Sequence, residues 1–184
     1  VIRYAITKGT AAANEEKWMA HVAQCIERGV ELLQIRERDL SGRRLAELTR
    51  KVLALPNSQR TQILINDRAD VAMACGAHGV HLRDGAVSPE YFARPGFIVT
   101  VACHGISGLE RTRGADFVLL APVFSPRSKT DLRHPLGLEV LREAARVSPV
   151  PVIALGGITS ENAPACMAAG AAGIAGISYF DEEN

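Results

Sequence analysis

Eight short apolar runs alternate with helix-like stretches along nearly the whole chain: Ile2–Ile6, Glu31–Ile35, Gln62–Ile65, Gly79–Leu82, Phe97–Val101, Phe117–Leu120, Val150–Ala154 and Gly173–Ile177. This alternation is the sequence pattern of parallel βα units. Most runs are continuously apolar rather than alternating, as strands buried on both faces require. A glycine stands just before every even-numbered run, in Gly29-Val30, Gly76-Ala77, Gly114-Ala115 and Gly170-Ala171. Each can end a helix, because glycine adopts the left-handed conformation of a helix C-terminus without steric penalty. The interval between these glycines is too irregular for a solenoid. Eight parallel strands with short connections close into a barrel or spread as an open sheet, and no GxGxxG follows the first run. The expected fold is α/β, a (β/α)8 TIM barrel forming a single domain over 1–184. The eighth run lies so near the end that a short or incomplete final helix is expected.

Composition narrows the function classes. With 47% apolar and 22% charged residues, the 184-residue chain has the make-up of a folded globular domain. A formal net charge of +1 supplies no global pull towards nucleic acid or an anionic membrane, so anion binding must be local. No apolar run reaches the ~20 residues of a membrane span. The opening Val1-Ile2-Arg3-Tyr4-Ala5-Ile6 lacks a basic signal-peptide flank, and a cytoplasmic location is the default expectation. Cys25, Cys75, Cys103 and Cys166 form no CxxC pair or zinc-type spacing, and read as reduced thiols acting mostly as small buried hydrophobes. Between the first runs, Asn14 can cap a helix that buries Trp18, Val22, Cys25 and Ile26. Ser41 can start another with Leu45, Leu48 and Val52 on its apolar side and Arg43, Arg44, Glu47, Arg50 and Lys51 in solvent.

Barrels of this kind carry their chemistry at the C-terminal ends of the strands. After the second run, Gln34, Arg36 and Arg38 alternate with Ile35 and Glu37, so three long polar side chains share one face. Two guanidiniums there can grip a pyrophosphate, although Arg36, Glu37, Arg38 and Asp39 can equally form loop salt bridges. After the third and fourth runs stand Asn66, Asp67 and Arg68, then His81 and Asp84. Asp67 and Asp84 offer oxygen ligands for Mg²⁺; alternatively Asn66 or Asp67 caps a helix beginning at Arg68. A Pro-punctuated loop after the sixth run holds Arg127, Ser128 and Lys129, suited to closing over an anion. Gly156-Gly157 and Gly176-Ile177-Ser178 end the last two runs, where bare amides can cradle phosphate, or where glycine merely permits a tight turn. His104 is an acid–base candidate and Cys103 a weak nucleophile candidate.

Taken in order, Tyr4-Ala-Ile-Thr7, Gln34-Ile-Arg-Glu-Arg38, Ile65-Asn-Asp-Arg68, Gly79-Val-His-Leu82, Pro122-Val-Phe124 with Lys129, and Ala154-Leu-Gly-Gly-Ile158 resemble thiamine phosphate synthase and its TenI-type relatives. The resemblance covers nearly the full chain. It implies a barrel enzyme of thiamine biosynthesis, a transferase joining hydroxymethylpyrimidine diphosphate to a thiazole phosphate with Mg²⁺ and release of pyrophosphate. By it, Gln34, Arg36, Arg38, Asn66 and Lys129 hold the diphosphate, and Asp67 ligates the metal, with Asp84 as second candidate. Gly156, Gly157, Ile177 and Ser178 receive the thiazole phosphate; Arg36, Lys129 and His104 are the catalytic candidates. The implied partners are phosphorylated small molecules, with no nucleic acid and no membrane, and the resemblance leaves room for a homodimer. Three positions depart from the synthase pattern. Arg38 replaces a lysine, Arg83-Asp84-Gly85-Ala86 replaces a Gly-Gln pair with acidic residues, and Ala102-Cys103-His104 replaces Ser-Ala-His. These leave open a TenI-type thiazole phosphate tautomerase, working without magnesium, or a catalytically silent regulatory relative.

Overall fold

The structure is a computed structural model and describes residues 1–125 and 134–180. Its strands are β1 (Ile2–Ile6), β2 (Leu32–Ile35), β3 (Gln62–Asn66), β4 (Gly79–Leu82), β5 (Ile98–Cys103), β6 (Phe117–Leu120), β7 (Val152–Leu155) and β8 (Gly173–Gly176). Each pairs in parallel with its successor, and β8 returns to β1 through Ile2↔Gly173 to Ala5↔Gly176, closing the barrel. All eight expected runs are strands, three with the expected bounds and five with shifted ends. Val150 stays outside β7 because Pro151 has no N–H to give the ladder and contributes only its carbonyl, to the Val118 amide. Phe97 drops out of β5: it forms an isolated antiparallel bridge with Arg94, whose guanidinium lies 4.4 Å from its ring centre. At its other end β5 runs on to Cys103, because pairing with β6 continues through Cys103↔Leu120.

Helices α1 (Glu15–Glu27), α2 (Gly42–Leu53), α3 (Ala69–Cys75), α4 (Gly137–Val147) and α5 (Ala163–Ala168) lie between strands. Asn14 and Ser41 cap α1 and α2, accepting the amides of Lys17 and Arg44. The expected stripes are buried: Trp18, Val22, Cys25 and Ile26 on α1, and Leu45, Leu48 and Val52 on α2. The polar side of α2 is tied to α1, since Arg44 and Lys51 both pair with Glu15. Cys25, Cys103 and Cys166 are buried free thiols and Cys75 is half-buried. Gly29, Gly76, Gly114 and Gly170 all have φ between 71° and 98°, the left-handed turn that their positions before even-numbered strands require. Two connections are not α-helical: Pro89–Tyr91 and Ile106–Thr112 are 3₁₀ turns. In the second, Ser107-Gly108 weakens helix propensity, and a side chain at Gly108 would meet the Cys103 Sγ at 2.7 Å. Among the described residues no helix follows β8; Ile177–Phe180 form turns that seat the buried Phe180 side chain, whose carbonyl accepts Arg28 Nη1 at 3.0 Å.

Inward-facing Tyr4, Ile6, Leu32, Leu64, Leu119, Ile153 and Ala175 fill the barrel. Into this plug is set a polar chain. Gln34 Nε2 donates to Tyr4 Oη (3.1 Å), Tyr4 Oη lies 3.1 Å from Thr100 Oγ1, and Thr100 Oγ1 lies 2.9 Å from His81 Nδ1. With Gln34 donating first, one consistent arrangement passes hydroxyl protons along the chain and leaves His81 Nδ1 as acceptor. Burial, reinforced by the positive charges of Arg36 and Arg38, depresses the His81 pKa to about 3, so its ring is neutral. An unfolded His81 protonates near 6.5 while the folded one does not, so this contribution is complete above pH 6.5 and declines as pH falls towards 3. Its slope is about 1.4 kcal/mol per pH unit at most. Urea melts between pH 7 and 5 should therefore show stability falling with acidification, and His81→Asn should flatten part of that slope; His78, also depressed by burial, accounts for a further part.

Candidate active site

The strand ends bring most of the expected rim residues to one mouth. Gln34, one pleat below Arg36, is 1% exposed and spends its amide on Tyr4, so it braces the interior more than it faces solvent. Arg36 is half-buried; its backbone amide donates to Thr7 Oγ1 at 2.8 Å, while its guanidinium has no hydrogen bond or ion pair among the described residues. Burial and the neighbouring charge of Arg38 push its pKa down, against the opposing pull of Glu37 and Asp67. A partly desolvated guanidinium beside a second one is an unsatisfied demand for an anion. The alternative of loop salt bridges is not what forms: among the described residues neither Arg36, Arg38 nor Asp39 pairs with a carboxylate or a guanidinium.

Asn66 and Asp67 do not cap a helix, as one expectation had it. The helix starts at Ala69, with Arg68 in the capping position and no side-chain cap bond. Asp67 has φ 57°, a left-handed conformation uncommon outside glycine, which directs its Oδ1 onto the Arg83 amide at 3.0 Å. Its backbone amide is fixed to the His81 carbonyl at 2.8 Å. The Asn66 side chain, half-buried at the end of β3, makes no hydrogen bond among the described residues. Glu37, Arg38, Asn66, Asp67, Arg68 and Arg83 line one cavity of about 480 Å³ with an apolar wall from Ile35, Leu40 and Leu45.

Asp84 lies elsewhere. Its Oδ1 is 3.4 Å from Arg111 Nη2, and it lines a separate small depression with Gly108 and Thr112. Asp84 and Asp67 thus border different depressions, with Arg83 on both, and among the described residues no group of three or more His, Cys, Asp and Glu side chains could hold a metal ion. His104, exposed at the end of β5, directs Nδ1 to the Ala121 carbonyl at 2.7 Å. A carbonyl only accepts, so Nδ1 carries the proton in this contact. Cys103 faces the outer wall, its thiol donating to the Gly105 carbonyl at 3.0 Å, and burial raises its pKa. That environment opposes a nucleophile. Arg127, Ser128 and Lys129 lie outside the described residues.

Across the mouth, Gly156 (φ 98°) and Gly157 (φ 62°) end β7. A side chain on Gly156 would meet Pro122 Cα at 2.7 Å, and one on Gly157 the Ser125 carbonyl at 2.5 Å. The loop leaving β6 is hydrogen-bonded along this turn, Val123 to Leu155 and Phe124 to Gly156. Tight packing thus demands both glycines. It does not use their donors: among the described residues the amides of Gly157, Ile158, Ile177 and Ser178 make no hydrogen bond. Asn162 Nδ2 holds the Gly157 carbonyl at 2.9 Å and so fixes the turn's orientation.

The model of the thiamine monophosphate synthase family matches residues 3–180. The chain belongs to that family. It is 39% identical over 171 residues to a putative thiamine-phosphate synthase 2 of Aquifex aeolicus, covering 91% of each chain. It is 34% identical over 182 residues to a thiamine-phosphate synthase of a Roseiflexus species, covering 96% of this chain and 77% of that one. Among solved structures, the thiamine phosphate pyrophosphorylase of Pyrococcus furiosus superposes with a TM-score of 0.80 at 26% identity, over 96% of this chain and 85% of that one. Barrels of other activities, such as FabK of Thermotoga maritima (19% identity, TM-score 0.73), share the fold alone.

Two residues of this thiamine monophosphate synthase family member acquire roles that its sequence did not announce. Glu37 is buried, with Thr7 Oγ1 (2.7 Å), Gly9 N (3.2 Å), Ala11 N (2.9 Å) and Trp18 Nε1 (2.7 Å) all donating to its carboxylate. Arg83 borders the cavity of Asp67 with an exposed side chain. For Glu37 the available signal was a carboxylate on the face opposite Arg36 and Arg38 in an otherwise basic segment. Gly157→Ala should cost about 2 kcal/mol through backbone strain and the Ser125 contact, lowering Tm by roughly 4–8 °C; a thermal melt superimposable on wild type would show that the turn accommodates a side chain.

Proposed function

We propose that the chain is a thiamine-phosphate synthase, which couples hydroxymethylpyrimidine diphosphate to thiazole phosphate and releases pyrophosphate. The carrying observation is the half-buried Arg36 guanidinium without a carboxylate partner among the described residues, beside Arg38, which with Asn66, whose side-chain amide is unengaged among those residues, lines a cavity of about 480 Å³. A diphosphate offers the charge that this cluster lacks. Family membership and the thiamine-phosphate synthases among the relatives support the same substrate. The resemblance adds Lys129 to the diphosphate set. On this reading Arg36, Arg38 and Lys129 stabilise the departing pyrophosphate as the pyrimidine carbon–oxygen bond breaks. Gly157, Ile177 and Ser178 present amides to the thiazole phosphate, holding the thiazole nitrogen opposite the developing pyrimidine cation. No protein nucleophile is required.

Magnesium fits this site through one carboxylate. Asp67 keeps its second oxygen outside any hydrogen bond among the described residues, and Mg²⁺ accepts one carboxylate when phosphate oxygens and water complete its shell. When bound there it would neutralise charge on the diphosphate. Asp84 is not assigned as a second ligand because it faces Arg111.

One feature favours a second reading. His104 stands at the end of β5 with its ring fixed by the Ala121 carbonyl, an acid–base side chain such as a magnesium-independent thiazole phosphate tautomerase would need. Incubation with both synthase substrates and Mg²⁺ decides: pyrophosphate release with formation of the coupled product is the expected outcome. Binding of thiazole phosphate alone, with His104-dependent proton exchange on a thiazole carboxylate phosphate, supports the tautomerase instead. Arg36→Ala and Lys129→Ala should each weaken pyrophosphate binding by roughly 1.5–3 kcal/mol, the scale of a charge-assisted hydrogen bond. Calorimetry returning wild-type affinity in both variants removes those assignments.

A further inference from the structure

Glu37 is a buried carboxylate that the proposed reaction does not use, standing between the two arginines that it does. Strand alternation directs Glu37 away from the face shared by Arg36 and Arg38, towards the segment joining β1 to α1. There its oxygens collect four donors from residues 7, 9, 11 and 18. Thr7 works in both directions: its hydroxyl donates to Glu37 at 2.7 Å and accepts the Arg36 amide at 2.8 Å. The backbone that launches Arg36 is therefore pinned on both sides, through its own N–H and through the next side chain. Charge acts in the same sense. Arg38 disfavours the charged state of Arg36, whereas Glu37 and Asp67 favour it.

We infer that Glu37 is a positioning residue for the diphosphate arginines, which holds Arg36 and Arg38 together at the mouth and couples their occupancy to the β1–α1 segment through Thr7 and Trp18. The inference rests on the diphosphate reading above. Two like charges side by side repel, and without a ligand the cheapest relief is for one side chain to swing into solvent. Glu37 opposes this by fixing the backbone and by supplying a compensating negative charge; it borders the same cavity, but its carboxylate oxygens are already taken up by four donors. Trp18 is the chain's single tryptophan, and its indole N–H donates to the same carboxylate at 2.7 Å. A change of field at Arg36 reaches this indole through one side chain, which makes its emission a reporter of the site.

The experiment compares wild type, Glu37→Gln, Thr7→Val and Arg36→Ala in calorimetric titrations with pyrophosphate plus Mg²⁺ and with thiazole phosphate, and follows Trp18 emission. Expected is a roughly tenfold weaker pyrophosphate affinity in Glu37→Gln and Thr7→Val, with KM for the diphosphate substrate raised alike and KM for thiazole phosphate unchanged. Pyrophosphate should shift Trp18 emission in wild type and leave it unmoved in Glu37→Gln and Arg36→Ala. Thr7→Val preserves shape and charge, so it carries the test if Glu37→Gln does not fold. Wild-type pyrophosphate affinity in a folded Glu37→Gln or Thr7→Val overturns the inference while leaving the synthase reading intact. So does an equal loss for both ligands, which marks a merely structural role, or an emission that ignores saturating pyrophosphate in wild type. A wild-type protein that binds no pyrophosphate at all instead overturns the synthase reading on which the inference stands.

Discussion

Everything at the mouth depends on the return of β8 to β1. That ladder converts an open parallel sheet into a cylinder, and it makes the ends of strands far apart in sequence into neighbours on a ring. Closure is tight. A side chain at Gly173 would stand 2.2 Å from the Ile2 carbonyl, and one at Gly79 would stand 2.1 Å from that of Ile98, so β8 against β1 and β4 against β5 approach where only glycine fits. Inside, branched and aromatic side chains fill the tube, so it is a packed core and not a channel. Ligand chemistry is confined to the rim by this filling.

The rim divides by charge. On the β2–β4 side stand guanidiniums, with the carboxylates of Glu37 and Asp67 bordering the same cavity. On the β7–β8 side the groups offered are backbone amides at glycine turns, braced by Asn162. Cationic side chains suit a flexible, highly charged group, and fixed amides suit a phosphate that must be held at one distance. On the proposed function the two halves would receive two differently charged ligands face to face, the geometry that a coupling reaction asks of a protein.

The strands were legible in the amino-acid order because each is a buried apolar run, and the helices α1 and α2 because their caps and stripes are local. Strand ends were less so: Phe97 and Val150 are as apolar as their neighbours, and only the ladder, together with Pro151, decides that they lie outside. At the site, the rule that chemistry lies after each strand singled out Arg36, Asn66, Asp67 and Gly157, and the structure sets all four at strand ends. The rule could not show that Asp84 turns to Arg111, 27 residues away, or that Glu37 gathers donors from 19 to 30 residues upstream. Those contacts are created by closure, and no local pattern encodes them. Helix capping by Asp67 was a sound local expectation defeated by a left-handed backbone and an amide on the next strand's exit.

The chain of Gln34, Tyr4, Thr100 and His81 sits one pleat below the groups that would meet a ligand. Because it is hydrogen-bonded from strand to strand, it behaves as a rigid floor between the hydrocarbon plug and the wet rim. Rim residues can then be exchanged without the disturbance spreading into the packing beneath. One scaffold of this kind can be adapted to different phosphorylated compounds while its folding stays nearly constant.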